Sequence, residues 1–144
     1  MNYRSTYWWY PFAALLFFFD VCTNAFLEKQ FFAIVLCAYV FQLYQPVNIG
    51  RLSILALFAC LESLIWYGSA EIQLLILIPL TLGAYFLQYA FYKSTAEQYG
   101  LLIVALLGNS VIIEHLILGL PVAIPYTIMK ISANIFLLWC FSLK

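Results

Sequence analysis

Residues 101–144 read LLIVALLGNSVIIEHLILGLPVAIPYTIMKISANIFLLWCFSLK. Two apolar runs, Tyr99–Leu118 and Pro121–Phe141, meet at Gly119-Leu120-Pro121. A helix needs about 20 residues to cross hydrocarbon, and each run has that length. Glycine ends one helix and proline opens the next, so the stretch predicts an antiparallel helical hairpin. Yet Glu114, His115 and Lys130 lie inside these runs. A charge in hydrocarbon costs several kcal/mol, less after snorkelling and thinning, so such residues default to function or to pairing.

The remainder of the chain extends the pattern. Of 144 residues, 67% are hydrophobic and 8% charged, and the mean hydropathy is +1.01. Soluble domains carry about 25% charged residues. The composition therefore predicts an all-α integral membrane protein, a single domain over 1–144 built as a six-transmembrane-helix bundle with short loops. The spans are expected at about 8–27, 31–49, 52–67, 72–92, 99–118 and 121–141. Span two is the short one: Phe31–Tyr44 rises only about 21 Å as a helix, and Val47–Ile49 would have to complete the crossing. Pro79 predicts a kink in span four. Asp20 closes the first apolar run with no small-residue cleavage site after it, so this run reads as a retained span.

An even number of spans puts both termini on one side. Arg4, Arg51, Lys93 and Lys144 fall on that side and Lys29 on the other. Positive charge marks the cytoplasmic face, so both termini are expected in the cytoplasm. Tyr3, Tyr7, Trp8, Trp9 and Tyr10 read as an aromatic belt at that interface, and Trp66 with Tyr67 as its counterpart at the other.

Asp20 and Glu62 join Glu114, His115 and Lys130 once the spans are threaded. All five fall roughly 5–14 Å below the outer surface at 1.5 Å per residue. Each has polar or small companions on its own face: Ala13, Thr23 and Asn24 beside Asp20; Ala59, Ser63 and Trp66 beside Glu62. Asn109 and Ser110 accompany Glu114, and Thr127 and Asn134 accompany Lys130. Such stripes mark helix–helix interfaces or cavity walls rather than lipid faces. Two readings follow. Asp20, Glu62, Glu114, His115, Lys130 and Asn134 form an outward polar site for a ligand or partner, or Lys130 pairs with Glu62 or Glu114 to fix helix register.

Other chemistry is not signalled. One histidine without a His-Glu-x-x-His pair argues against zinc. No nucleophile elbow, phosphate loop or dinucleotide fingerprint is present, so neither an enzyme nor a cofactor is expected. With six basic and six acidic residues there is no basic patch for nucleic acid. Cys22, Cys37, Cys60 and Cys140 read as small buried hydrophobes.

The stretch Pro46-Val47-Asn48-Ile49-Gly50-Arg51, then Ala59-Cys60-Leu61-Glu62, then Gly68-Ser69, resembles the rod-shape-determining MreD family of small six-span bacterial proteins. That family has a basic loop before span three, an acid toward its outer end and a small-residue turn after it. Glu62 stands where the family usually has aspartate, and the glycine that precedes the aspartate there is missing here. The resemblance covers about a third of the chain. It implies a bacterial inner-membrane scaffold of the cell-wall elongation complex, joined to a single-span shape protein and wall-synthesis enzymes. The same family is similar in fold to the substrate-binding subunits of energy-coupling-factor transporters. That similarity implies the alternative, a small-solute-binding or transport subunit with an outward-facing polar site.

Overall fold

The computed structural model describes residues 8–28, 30–45, 48–90, 95–121 and 123–143. Tyr3, Arg4, Tyr7, Lys29, Pro46, Val47, Tyr92, Lys93 and Lys144, which entered the topology argument, lie outside them. The described residues form helices and turns without a strand: α1 (Trp9–Phe26), α2 (Ile34–Leu43), α3 (Ile49–Tyr67), α4 (Glu71–Ala90), α5 (Thr95–Gly108) and α6 (Ile124–Ser142). From α5 the chain runs on as a π-helical segment, Asn109–Ile117. Five helices, α5 being counted with its π segment, are long and apolar enough to cross a membrane.

The exception, α2, is the centre of the bundle. It has ten residues, and Val35 through Val40, Gln42 and Leu43 are all buried. Helices α1, α3, α5 and α6 pack against it. A helix that is apolar all round belongs in an interior, and this one is surrounded. The other helices bury one stripe and expose Phe18, Phe26, Leu57, Phe86, Leu116 and Phe136 among many others. A surface so broadly apolar suits lipid and not water.

Span two was expected to become helical at Phe31, but the helix starts at Ile34 and residues 30–33 are non-helical. The reason is that side chains from other helices supply the hydrogen bonds. Asn24 Oδ1 accepts from the N–H of Phe31 at 3.0 Å and of Phe32 at 2.9 Å. Asn134 Oδ1 accepts from Ala33 N–H at 2.7 Å, and Asp20 Oδ2 from Val35 N–H at 2.9 Å. The amides return the favour: Asn24 Nδ2 donates to Phe32 O at 2.8 Å and Asn134 Nδ2 to Phe31 O at 3.0 Å. At the far end of α2, Gln88 Nε2 donates to Leu43 O at 3.0 Å. Buried backbone groups must be paired, and away from water only other protein groups can do it.

Two further expectations are corrected. Helix α6 opens at Ile124, three residues beyond Pro121, and Pro125 occupies its first turn instead. Gly119 does take the left-handed conformation expected of a terminating glycine, with φ 66, as does Gly68 after α3, with φ 72. Cys22 and Cys140 are exposed on the apolar surface and not buried; Cys37 alone is fully enclosed. Pro79 lies inside α4 without interrupting it.

Asn24 and Asn134 should therefore matter more than an ordinary helix cap. Asn48, which caps α3 by accepting from Arg51 N–H at 3.3 Å, is the reference. Asn48→Ala should cost about 1 kcal/mol. Asn24→Ala strands two N–H groups and should cost about 2–6 kcal/mol, given about 1–3 per buried unsatisfied donor. Equilibrium unfolding in mild detergent ranks the variants; equal costs would contradict the capping role.

Candidate functional site

The site lies at the end of the bundle that carries Gly68 and Gly119. Of the candidate residues, Asp20, Glu62, Lys130 and Asn134 are buried and Glu114 is half-buried. They divide into two groups. In the first, Asn24 Nδ2 lies 3.1 Å from Asp20 Oδ1 and 3.3 Å from Glu62 Oε1. Gln30 Nε2 donates to Glu62 Oε1 at 3.2 Å. In the second, Lys130 Nζ donates to Glu114 Oε1 at 2.9 Å and to Asn109 Oδ1 at 3.0 Å. A cavity of about 10 Å³, bordered by Glu62, Gln73, Asn109 and Lys130, separates the groups. That is room for about one water. Lys130 thus takes Glu114 as its ion-pair partner, one of the two acids expected.

The π segment explains how Lys130 gains both acceptors. Asn109 and Glu114 are five residues apart, so in an α-helix they would point about 140° away from each other. The wider turn of a π-helix closes bonds five residues back, as Leu118 N–H does to Ile113 O at 2.9 Å. Residues five apart then share a face, and one ammonium reaches both. The α-helical spacing assumed from sequence pairs Glu114 with Ser110 instead.

His115 does not belong to the site. It is exposed, and its Nδ1 lies 2.9 Å from Leu120 O in the following turn. Neighbouring positions on a helix point in different directions, so with Glu114 turned inward His115 faces out. Thr127 likewise bonds its own helix, to Ala123 O at 3.2 Å.

Above the ion pair opens a cavity of about 400 Å³. Glu28, Trp66, Tyr67, Ser110, Glu114 and Tyr126 border it, with Gln30 between the tyrosines. Tyr67 Oη donates to Gln30 Oε1, and Tyr126 Oη donates to Gln30 O at 3.3 Å. Both rings are held in place by these hydroxyl bonds. Trp66 and Tyr67 thus wall a cavity, where the sequence placed them only as interface anchors. Ser110 Oγ and Trp66 Nε1 are buried and have no hydrogen-bond partner. Gln30 was legible only as a polar loop residue; its role depends on where the 30–33 segment enters the bundle. Tyr126 carried no signal beyond its aromatic character.

At the opposite end, Arg51 stacks over Trp9, with its guanidinium carbon 5.0 Å from the ring centroid. The starts of α1 and α3 are therefore together. No protein-family model matches this chain, and neither a curated protein nor a solved structure matches it.

Breaking the buried pair should cost stability. Lys130→Met leaves Glu114 and Asn109 without their donor and should cost about 3–5 kcal/mol. Adding Glu114→Gln removes the stranded charge and should restore much of it. Thermal unfolding of the single and double variants checks this; a double variant no more stable than Lys130→Met would refute the pairing energy.

Proposed function

We propose that this chain is a six-span protein of a bacterial inner membrane, with both termini cytoplasmic, and that it binds a small solute from the outer side. The observation that carries the binding reading is the cavity of about 400 Å³ above the Lys130–Glu114 pair. Ligand sites run from about 300 to 1,000 Å³ and combine apolar walls with a few placed polar groups. Here the walls are aromatic, and Ser110 is a buried hydroxyl still without a partner.

The crossing of the second segment supports six spans. Helix α2 rises about 15 Å over its ten residues. The four non-helical residues 30–33 can add up to about 13 Å. Together they approach the hydrocarbon thickness of about 30 Å. Non-helical backbone at that depth is tolerated because it is buried in protein, not facing lipid. The Arg51–Trp9 contact agrees with α1 and α3 both starting on the cytoplasmic side. Reporter fusions at the two termini should both read cytoplasmic; opposite readings would exclude an even span count.

A second reading, a scaffold of the cell-wall elongation complex, is favoured by a different feature. Between α4 and α5 runs an apolar groove of about 340 Å³ past Pro79, Gly83, Leu101 and Gly108. Small residues let a partner helix approach closely, as a single-span shape protein would. A Cβ at Gly108 meets nothing within 4 Å, so Gly108→Ala adds a methyl at the groove without a clash inside this fold. Under the scaffold reading it severs association with the elongation proteins.

Solute binding is tested by thermal shift with charged, zwitterionic and neutral small molecules. A ligand at about a hundred times its Kd stabilises by about 2.7 kcal/mol. Thr127→Trp, at a half-buried position bordering the cavity, should abolish that response, with the unfolding temperature of the unliganded variant as the control for damage. If no solute stabilises the wild type above Thr127→Trp, the binding reading is wrong.

A further inference from the structure

The cavity has a charge character that narrows its ligand. It is bordered by two carboxylates, Glu28 and Glu114, and by three aromatic residues, Trp66, Tyr67 and Tyr126. No lysine or arginine borders it among the described residues. The nearby cation, Lys130, is only 1% exposed and does not border it. Its ammonium is committed to Glu114 Oε1 and Asn109 Oδ1. Glu114 Oε2 takes no part in that bond. The tyrosine hydroxyls both donate to Gln30, which fixes the rings with their aromatic carbon lining the cavity. Aromatic rings beside carboxylates, in a partly desolvated space, attract organic cations.

The second observation is independent of charge. Ser110 lies four residues deeper than Glu114, is 3% exposed, and borders the cavity with no partner for its hydroxyl. Trp66 Nε1 is a buried donor that also lacks an acceptor. Buried polar groups are normally satisfied, so Ser110 and Trp66, both bordering the cavity, each hold open a bond that a ligand atom in it can complete. A hydroxyl can accept from the indole N–H and exchange a hydrogen bond with Ser110.

We propose that the cavity takes a small organic cation that carries a hydroxyl, an alkylated or protonated amino alcohol. This rests on the solute-binding reading. The ammonium sits among the aromatic rings beside Glu114 and Glu28, and the hydroxyl points down to Ser110.

The test uses the full chain in nanodiscs of phosphatidylglycerol, which contain no choline lipid. Radiolabelled choline and benzyldimethyl(2-hydroxyethyl)ammonium are the cationic probes. Unlabelled 3,3-dimethylbutan-1-ol is the neutral competitor of the same shape as choline, and 3,3-dimethylbutanoate the anionic one. At least one cation should bind saturably, and neither competitor should displace it even in large excess. Trp66→Leu should weaken binding about tenfold through loss of the ring. Glu28→Gln, at an exposed position that cannot threaten the fold, should weaken it about threefold. The unfolding temperature without ligand controls for damage in the first variant. Displacement by the alcohol as strong as by choline would reduce the site to an apolar hole and overturn the proposal. Tighter binding of the butanoate would make Lys130 the recognition group and overturn it as well. Failure of both cations while another solute from the thermal-shift panel binds would sink the cation assignment and leave solute binding standing. Failure of every solute would sink both.

Discussion

Four consecutive-helix hydrogen bonds are missing at the start of α2, and three side chains from two other helices make them instead. Asn24, Asp20 and Asn134 accept from Phe31, Phe32, Ala33 and Val35. An unsatisfied buried donor costs about 1–3 kcal/mol, so this exchange governs whether a ten-residue helix can sit at the centre of an apolar bundle. It also ties α1 and α6 together through α2, because Asn24 belongs to α1 and Asn134 to α6. The remaining helices then have a fixed core to pack around. Gln88 closes the other end of α2 from α4, so the central helix is held at both termini by groups that a membrane could not provide.

The polar layer is therefore two devices at one depth. Asp20, Asn24 and Asn134 are consumed by backbone pairing, and Glu62 is drawn into their network through Asn24 and Gln30. Lys130, Glu114 and Asn109 form a separate charged group on the α6–π interface. The second group meets the larger cavity with a charged side chain, Glu114, whereas the first reaches it only through the amide of Gln30. This division makes the first group structural and leaves the second as the part able to answer a ligand. The π segment is what allows it: without the wider turn, Asn109 and Glu114 could not both face Lys130. π-Helical turns occur often at functional sites, and here the geometry gives a reason.

Function and stability are thereby coupled through Gln30. Its side-chain amide donates to Glu62, its side-chain carbonyl accepts from Tyr67, and its backbone carbonyl accepts from Tyr126. The residue just ahead of the capped segment thus also positions two rings of the cavity. A shift of the 30–33 backbone would move those walls, because both tyrosines are bonded to Gln30 and Phe31 packs on Tyr126 at 5.7 Å between centroids.

Much of this was determined by sequence alone. Run lengths and composition specify apolar helices of crossing length, because a bilayer's thickness and a helix's rise leave little freedom. Charges inside apolar runs announced Asp20, Glu62, Glu114 and Lys130 as inward-facing, with Asn134 as the polar companion of Lys130, because an apolar surrounding penalises an unpaired charge. Gly119 was legible as a terminator, because a left-handed residue favours glycine. Three matters waited for the tertiary structure. Asn24 pairs the backbone of Phe31 and Phe32, and Asn134 reaches Ala33 from a helix far along the chain, and no local pattern encodes which backbone a side chain will meet. The π turn let Asn109 and Glu114, five residues apart, both reach Lys130 and left His115 outside, because residue spacing predicts a face only once the number of residues per turn is known. The aromatic cavity joins α1's end, α3, the π segment and α6, and a space between four helices exists only after they have packed.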